Sequence, residues 1–132
     1  MDEELQERFQ NYEREIRQIQ EQMNAIDQAI VDMGKVSFGL DELKGKKDAE
    51  IFAPVGRGIF IPAKILSDEL TVDIGEGNFV KKTIPETKAV IKEQMDKLRA
   101  MRNDLESELE KISAEITKAM EESKIKSSEK ND

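Results

Sequence analysis

Two stretches of this chain, one near each end, carry apolar residues at intervals of three and four. The first stripe consists of Leu5, Phe9, Tyr12, Ile16, Ile19, Met23, Ile26, Ile30 and Met33. The second consists of Ile91, Met95, Leu98, Met101, Leu105, Leu109, Ile112, Ile116 and Ala119. A repeat of about 3.5 residues is the pattern of a coiled coil. The sequence therefore predicts two long coiled-coil helices, over residues 1–44 and 84–120, with Thr83 capping the second.

The two stripes mirror each other, which predicts that the helices pair antiparallel within one chain. If the chain reverses direction, the numbers of paired residues have a constant sum. Leu5 with Ile116 and Ile30 with Ile91 both sum to 121, whereas Ile19 with Met101 departs from it by one. In this alignment the polar segment 121–132 has no partner, and its composition predicts a flexible tail.

Between the helices, in residues 45–83, the spacing of apolar residues changes from a seven-residue repeat to alternation at every second position. The alternation predicts strands over residues 49–55 and 58–65, and a second pair over residues 69–74 and 78–83. Each pair is joined across a Gly-x-Gly turn, so the segment is interpreted as two β-hairpins. Phosphate binding by these glycines is disfavoured, because each turn joins two strands instead of opening a helix. The predicted fold class is α+β.

Both hairpins carry apolar side chains that the chain itself cannot cover. The first hairpin is apolar on both faces, and the apolar stripes of the helices are used on each other. Isolated hairpins are marginally stable in water, so the cover is expected to come from other subunits. The residues predicted to form this oligomerisation surface are Ile51, Phe52, Val55, Ile59, Phe60, Ile61, Leu70, Val72, Ile74, Phe79 and Val80.

Composition argues against most catalytic chemistry. The 132 residues include no Cys and no His, so thiol nucleophiles, imidazole bases and cysteine-ligated zinc are excluded. We expect no catalytic residue, no metal and no cofactor. The net charge of −8 disfavours direct nucleic-acid binding. No apolar run approaches the roughly 20 residues of a membrane helix, and the acidic N-terminus differs from a signal peptide, so a cytoplasmic protein is expected.

The central segment resembles one known family. The stretch Ile51-Phe52-Ala53-Pro54-Val55-Gly56-Arg57-Gly58-Ile59-Phe60-Ile61-Pro62-Ala63, followed by Val72-Asp73-Ile74-Gly75-Glu76-Gly77-Asn78-Phe79-Val80, is similar to that of the prefoldin (GimC) family. Two hairpins indicate its alpha class, and the short chain resembles archaeal members. The resemblance implies a hexamer of two alpha and four beta subunits, in which the hairpins form an intersubunit β-barrel platform.

The same resemblance implies a function, that of an ATP-independent chaperone. Family members bind unfolded proteins at the ends of their coiled coils and pass them to a group II chaperonin. Carried over to this chain, the client-binding tip comprises Leu5, Phe9, Tyr12, Ile112, Ile116, Ala119 and Met120. A structural alternative stays open, in which the coil is an adaptor or spacer that only sets a distance. It predicts that polar substitutions at Leu5 and Ile116 leave function intact.

Overall fold

A computed structural model of the chain describes residues 3–130. The elements are, in order, α1 (Glu3–Leu43), β1 (Glu50–Gly56), β2 (Ile59–Lys64), β3 (Leu70–Gly75), β4 (Asn78–Lys82) and α2 (Ile84–Lys130). They divide into two compact units. The coil unit comprises the residues up to Ile30 and those from Lys97 onward, and the hairpin unit comprises Val31–Asp96. None of the described helices is both long enough and apolar enough to cross a membrane.

The start of α2 has the predicted cap. The backbone N–H of Glu86 donates to Thr83 Oγ1 at 3.2 Å, and the Thr83 hydroxyl donates to Glu86 Oε1 at 3.0 Å. The first of these bonds satisfies a backbone donor that the first turn of a helix leaves without an intrahelical partner. Ile84, at the first position of α2, is only 3% exposed and anchors this end of the helix.

The coil unit pairs its helices antiparallel, as predicted, but in a different alignment. Arg102 Nε donates to Asp27 Oδ1 at 2.6 Å, and these two numbers sum to 129. A groove in the same unit is lined by residues between 15 and 22 of α1 and between 108 and 115 of α2, and the opposite ends of these ranges sum to 130. The predicted sum of 121 is therefore wrong by about one heptad. The core consists of Ile19, Met23 and Ile112, with Tyr12, Ile16, Leu105, Leu109 and Ile116 packed against it.

The heptad repeat explains why sequence patterns led to the wrong alignment. A stripe that repeats every seven residues matches its partner equally well after a slide of seven. Met23, for example, has an apolar residue opposite it at a sum of 121, Leu98, and again at a sum of 128, Leu105. The apolar pattern therefore cannot distinguish the two alignments, whereas the bond between Arg102 and Asp27 does.

One member of the second stripe also needs correction. Met101 is 53% exposed, whereas Arg102 is half-buried and contacts the other helix through Asp27. With Arg102 in the seam, the steps from Leu98 to Arg102 to Leu105 are four and three, and the second stripe becomes as regular as the first. An arginine tolerates this position because its aliphatic stem covers apolar surface while its guanidinium reaches a polar partner.

The end of α2 differs from the prediction as well. The helix continues to Lys130, past the predicted end at Met120, so the segment interpreted as a flexible tail is helical. Glu122 lies close enough to Arg8 of α1 for its negative charge to raise the pKa of the Arg8 guanidinium. The part of the segment around Glu122 thus lies beside the start of α1. The many Glu and Lys residues of the segment favour helix. The last two residues of the predicted tail lie outside the described residues.

Two antiparallel two-stranded sheets form the hairpins of the hairpin unit, as predicted. In hairpin 1 (β1 and β2) Ile51 pairs with Ala63, and in hairpin 2 (β3 and β4) Val72 pairs with Val80. The two central turn residues have positive φ in both cases: Arg57 at 50° with Gly58 at 77°, and Glu76 at 52° with Gly77 at 76°. Positive φ at both positions is the geometry of the type I′ turn, whose twist matches that of the flanking strands.

Candidate oligomerisation and client-binding surfaces

Hairpin 1 is exposed on both faces. Cross-strand pairs place Ala53 opposite Ile61 on one face, and Phe52 opposite Pro62 on the other. Phe60 shares the face of Phe52 and pairs with Pro54. Every predicted interface residue of this hairpin is exposed: Ile51, Phe52, Val55, Ile59, Phe60 and Ile61, with Phe52 the most exposed at 73%. A two-stranded ribbon with uncovered apolar side chains on both faces requires a layer on each.

The two prolines of hairpin 1 affect its outer edges. Each lies inside the ladder, and a proline has no N–H to donate. In an antiparallel pair, residues alternate between sites that bond to the partner strand and sites whose backbone groups point outward. Pro54 and Pro62 suit the outward sites, so the ladder itself is kept. Each outer edge then lacks one donor, which limits pairing with further strands.

Hairpin 2 has a polar face and an apolar face, with one exception. Leu70, Val72 and Val80 share a face and are half-buried. The opposite face carries Thr71, Asp73 and Lys81, but it also carries Phe79, which is 61% exposed. Ile74 is exposed to a similar extent. Eight of the eleven predicted oligomerisation residues are thus exposed, and the half-buried three all lie in hairpin 2.

A groove of about 650 Å³ joins the end of α1 to hairpin 1 inside the hairpin unit. Its apolar lining includes Leu43, Ile51 and Ile65, and its charged lining includes Glu42 and Lys46. Ile51 belongs both to this groove and to the exposed face of hairpin 1. The apolar surface therefore continues from the sheet onto the helix end.

The predicted client-binding tip is less open than expected. Ile112 and Ala119 are buried, at 8% and 1% exposure. Leu5, Phe9, Tyr12 and Ile116 are half-buried, and Phe9 and Tyr12 make an edge-to-face ring contact with centroids 6.3 Å apart. In the observed alignment Ile112 belongs to the core of the coil unit and not to its end. Only Met120 of the predicted set is exposed, at 53%.

Sequence patterns missed one exposed apolar residue near the end of the coil unit. Ile125, at 59% exposure, lies on the part of α2 that was predicted to be a flexible tail. The signal that would have found it is the heptad alignment, because a sum near 128 keeps α2 beside α1 past residue 120. Within the described part of the coil unit, Met120 and Ile125 are accessible apolar side chains on the stretch of α2 beside the start of α1.

One ion pair ties the helix ends together in the hairpin unit. Lys88 Nζ donates a hydrogen bond to Asp41 Oδ1, and Lys44 Nζ lies 3.4 Å from the same oxygen. The bond from Lys88 holds the pKa of the Asp41 carboxyl below its ordinary value of 3.8. Among the described residues there is no cluster of three Asp, Glu, His or Cys side chains suited to a metal ion.

The lowered pKa of Asp41 predicts a loss of stability in acid. A carboxylate whose pKa is lower in the folded state stabilises the fold above its unfolded pKa, and this contribution disappears as the pH falls through the folded value. We expect the unfolding midpoint of the chain to exceed that of Asp41→Asn at neutral pH, and the two to converge below about pH 4. Urea titrations from pH 2 to 7 measure this. The control is Asp104→Asn, which replaces an exposed carboxylate on α2. If the difference in urea midpoint between the unmodified chain and this control changed with pH as much as it does for Asp41→Asn, the prediction would be contradicted.

Comparison with known proteins gives consistent results. The family model for a prefoldin subunit matches residues 12–127. Prefoldin subunit alpha of Methanobrevibacter smithii is 34% identical over 99 residues, covering 74% of this chain and 63% of that protein. Prefoldin subunit alpha of Methanosarcina barkeri is 30% identical over 116 residues, covering 84% of this chain and 76% of that protein. The match thus spans a little under two thirds of the first relative.

The fold has a counterpart among solved structures. The cryo-EM structure of filamentous PFD from Methanocaldococcus jannaschii superposes with a TM-score of 0.80 and covers 89% of this chain and 98% of that chain. At 21% identity this likeness concerns the fold alone. It confirms the predicted α+β architecture of two long helices with two central hairpins. Since the family model covers most of the sequence and curated alpha subunits align with it, the chain belongs to the prefoldin family, as its central segment predicts.

Proposed function

We propose that this chain is an alpha-type subunit of an ATP-independent chaperone. Its hairpins assemble with prefoldin beta subunits, in the hexamer of two alpha and four beta subunits that the resemblance implies. The end of its coil binds unfolded proteins, which the complex delivers to a group II chaperonin. The chain is non-catalytic, needs no metal or cofactor, and acts in the cytoplasm.

The observation that carries this proposal is the exposed apolar surface of the hairpins. Eight large apolar side chains lie open on two short ribbons, and six of them cover both faces of hairpin 1. At about 25 cal/mol per Å² of apolar surface, leaving such an area in water is costly, so subunit assembly is the expected outcome. The relatives described as prefoldin alpha subunits support assembly with beta subunits and do not favour a spacer.

Client binding at the end of the coil rests on a second observation. Met120 and Ile125 expose apolar surface on the stretch of α2 that lies near Arg8. Leu5 and Phe9, at the start of α1, are half-buried. Hydrophobic contact is non-directional, which suits the capture of unfolded chains that share no sequence. Methionine adds flexibility, so one side chain adapts to different partners.

Substituting Met120 and Ile125 together by glutamine is expected to weaken client binding by the assembled complex about tenfold, because two apolar contacts are lost. The measurement is light scattering of a denatured client at increasing complex concentration. Met101→Gln is the matched control, since Met101 has the same 53% exposure as Met120 but is not near the coil end. If the double variant prevented client aggregation as well as the unmodified complex does, Met120 and Ile125 would not belong to the client-binding site. If the unmodified complex did not prevent aggregation either, the spacer function would be favoured.

A further inference from the structure

The last part of α1 carries a short apolar seam that the chain leaves uncovered. Phe38 is 66% exposed and Val31 is 51% exposed, whereas Met33 of the first apolar stripe is half-buried. Gly34 lies between Val31 and Phe38, so the three residues follow each other at steps of three and four. This spacing places them on one face of the helix. We name Val31, Gly34 and Phe38 the base seam.

Gly34 leaves a space in the base seam that nothing within the chain uses. Apart from the surrounding helix backbone, no atom of the described residues lies within 4 Å of the position that a Cβ at Gly34 would occupy. Glycine is less favourable than alanine inside a helix, because its backbone loses more conformational entropy on folding. Side chains of a helix lean towards its N-terminus, so the ring of Phe38 lies beside this space. The space is therefore available to an apolar group from another chain.

The base seam is continuous with the apolar surface of hairpin 1. Asp41 and Glu42 follow Phe38 at the next turn of α1, and both line the groove that Ile51 shares with the exposed face of hairpin 1. Asp41 pairs with Lys88 inside the chain, so the apolar seam ends before this residue. The base seam thus lies at the margin of the surface that subunit assembly covers, where other subunits are close.

We propose that the base seam packs against the base seam of a second copy of this chain, with the two α1 helices parallel. This inference rests on the proposed assembly, which holds two copies of the chain, and it adds a helix contact to those of the hairpins. In a parallel symmetric pair, each layer joins identical residues. Val31 therefore meets Val31 of the other copy, and the two Phe38 rings meet beside the space that the Gly34 residues leave.

The parallel direction follows from the position of the seam next to hairpin 1. Parallel helices keep hairpin 1 of both copies at the same end of the pair, where the same assembly covers both. Antiparallel helices would place the two hairpins at opposite ends. A seam of two helical turns buries too little surface to hold two chains together by itself, so we expect the contact to form within the assembled complex.

A second copy fits the seam because the seam does not repel itself. Symmetric pairing brings identical surfaces together, so a charge on the seam would face the same charge. The side chains of Val31 and Phe38 have no polar atom, and Gly34 has no side chain. The hairpin unit, residues 31–96, contains twelve acidic and ten basic side chains, a net charge of −2. Most of the net charge of −8 therefore lies away from the base seam.

Cysteine crosslinking in the assembled complex tests this pairing, because the chain has no cysteine of its own. Val31→Cys is assembled with a cysteine-free beta partner and treated with a short bis-maleimide. We expect covalent dimers of this chain on a denaturing gel. Ala100→Cys, at an exposed position of α2 outside the seam, is the matched control. It is expected to give about tenfold fewer dimers, because the effective concentration of the second thiol is lower.

A second substitution tests whether the seam itself holds the two copies together. Combining Val31→Cys with Phe38→Gln is expected to lower the yield of dimers about fivefold, because the seam loses its largest apolar side chain. Native mass spectrometry checks that each variant assembles. An assembled complex in which Val31→Cys gives no more dimers than Ala100→Cys would overturn the inference and leave the proposed function intact.

Photo-crosslinking identifies the occupant of the seam directly. Phe38 is replaced by the photoreactive residue p-benzoylphenylalanine, and the mass of the adduct shows which subunit it has reached. We expect an adduct of two copies of this chain. An adduct with the beta partner would overturn the inference, because a different subunit would then cover the seam. A chain that forms no complex with the beta partner would instead overturn the proposed function, and this inference with it.

Discussion

Replacing Phe52 and Phe60 by aspartate is expected to abolish assembly with partner subunits while the helices stay paired. Both rings are exposed on one face of hairpin 1 and contribute nothing to the core of the coil unit. Loss of two buried rings at an interface, each replaced by a charge without a partner, weakens association by more than about a thousandfold. Native mass spectrometry of the chain mixed with a beta partner measures the effect.

The control for this prediction is Met101→Asp, which introduces the same charge at an exposed apolar position outside the hairpins. It is expected to assemble normally. Far-ultraviolet circular dichroism of both variants checks that helix content is unchanged. A complex of unaltered mass with the Phe52 and Phe60 double variant would show that this face of hairpin 1 is not an interface.

Truncating the core of the coil unit is expected to give the second largest effect. Ile19→Ala and Ile112→Ala each remove a buried side chain from the same cluster, and each is expected to lower the free energy of unfolding by about 2–4 kcal/mol. Ile125→Ala, at an exposed position, is expected to change it by no more than about 0.5 kcal/mol. Urea unfolding followed by circular dichroism measures all three.

The Ile112 variant also tests the alignment of the helices. At a sum of 121, Ile112 faces Phe9 near the end of the coil, where truncation costs little. In the observed alignment it lies in the core with Ile19. A loss at Ile112 as small as that at Ile125 would therefore speak against the alignment described above.

Sequence patterns predicted each element of this fold to within a few residues, except for the end of α2. Periodicity distinguishes helix from strand directly, because side chains repeat every 3.6 residues in one and every two in the other. The Gly-x-Gly turns were equally clear, since a type I′ turn needs positive φ at positions 57–58 and 76–77. The exposure of the hairpins followed from counting apolar residues that nothing in the chain covers.

The alignment of the helices was not accessible from apolar residues alone. Because Met101 is apolar and Arg102 is charged, Met101 was assigned to the seam. With that assignment the steps of four and three along the second stripe no longer alternate regularly. The error in alignment then placed Ile112 at the coil end and left the segment after Met120 without a partner. Charged residues carried the missing information, because Asp27 pairs with Arg102 in only one of the two alignments.

The alignment of the two helices depends on a contact between charged residues that lies at one place in the coil. The coil could therefore become shorter or longer without a change of alignment. An ion pair near the surface contributes on the order of 1 kcal/mol. The pair of Asp27 and Arg102 nevertheless distinguishes helix positions that differ by one heptad. Deleting seven residues from both helices, on the same side of Asp27 and Arg102, would give a shorter coil with every remaining pair intact. Deletion from one helix alone would leave its partner protruding by two turns. The reach of such a subunit therefore changes in increments of about 10.5 Å.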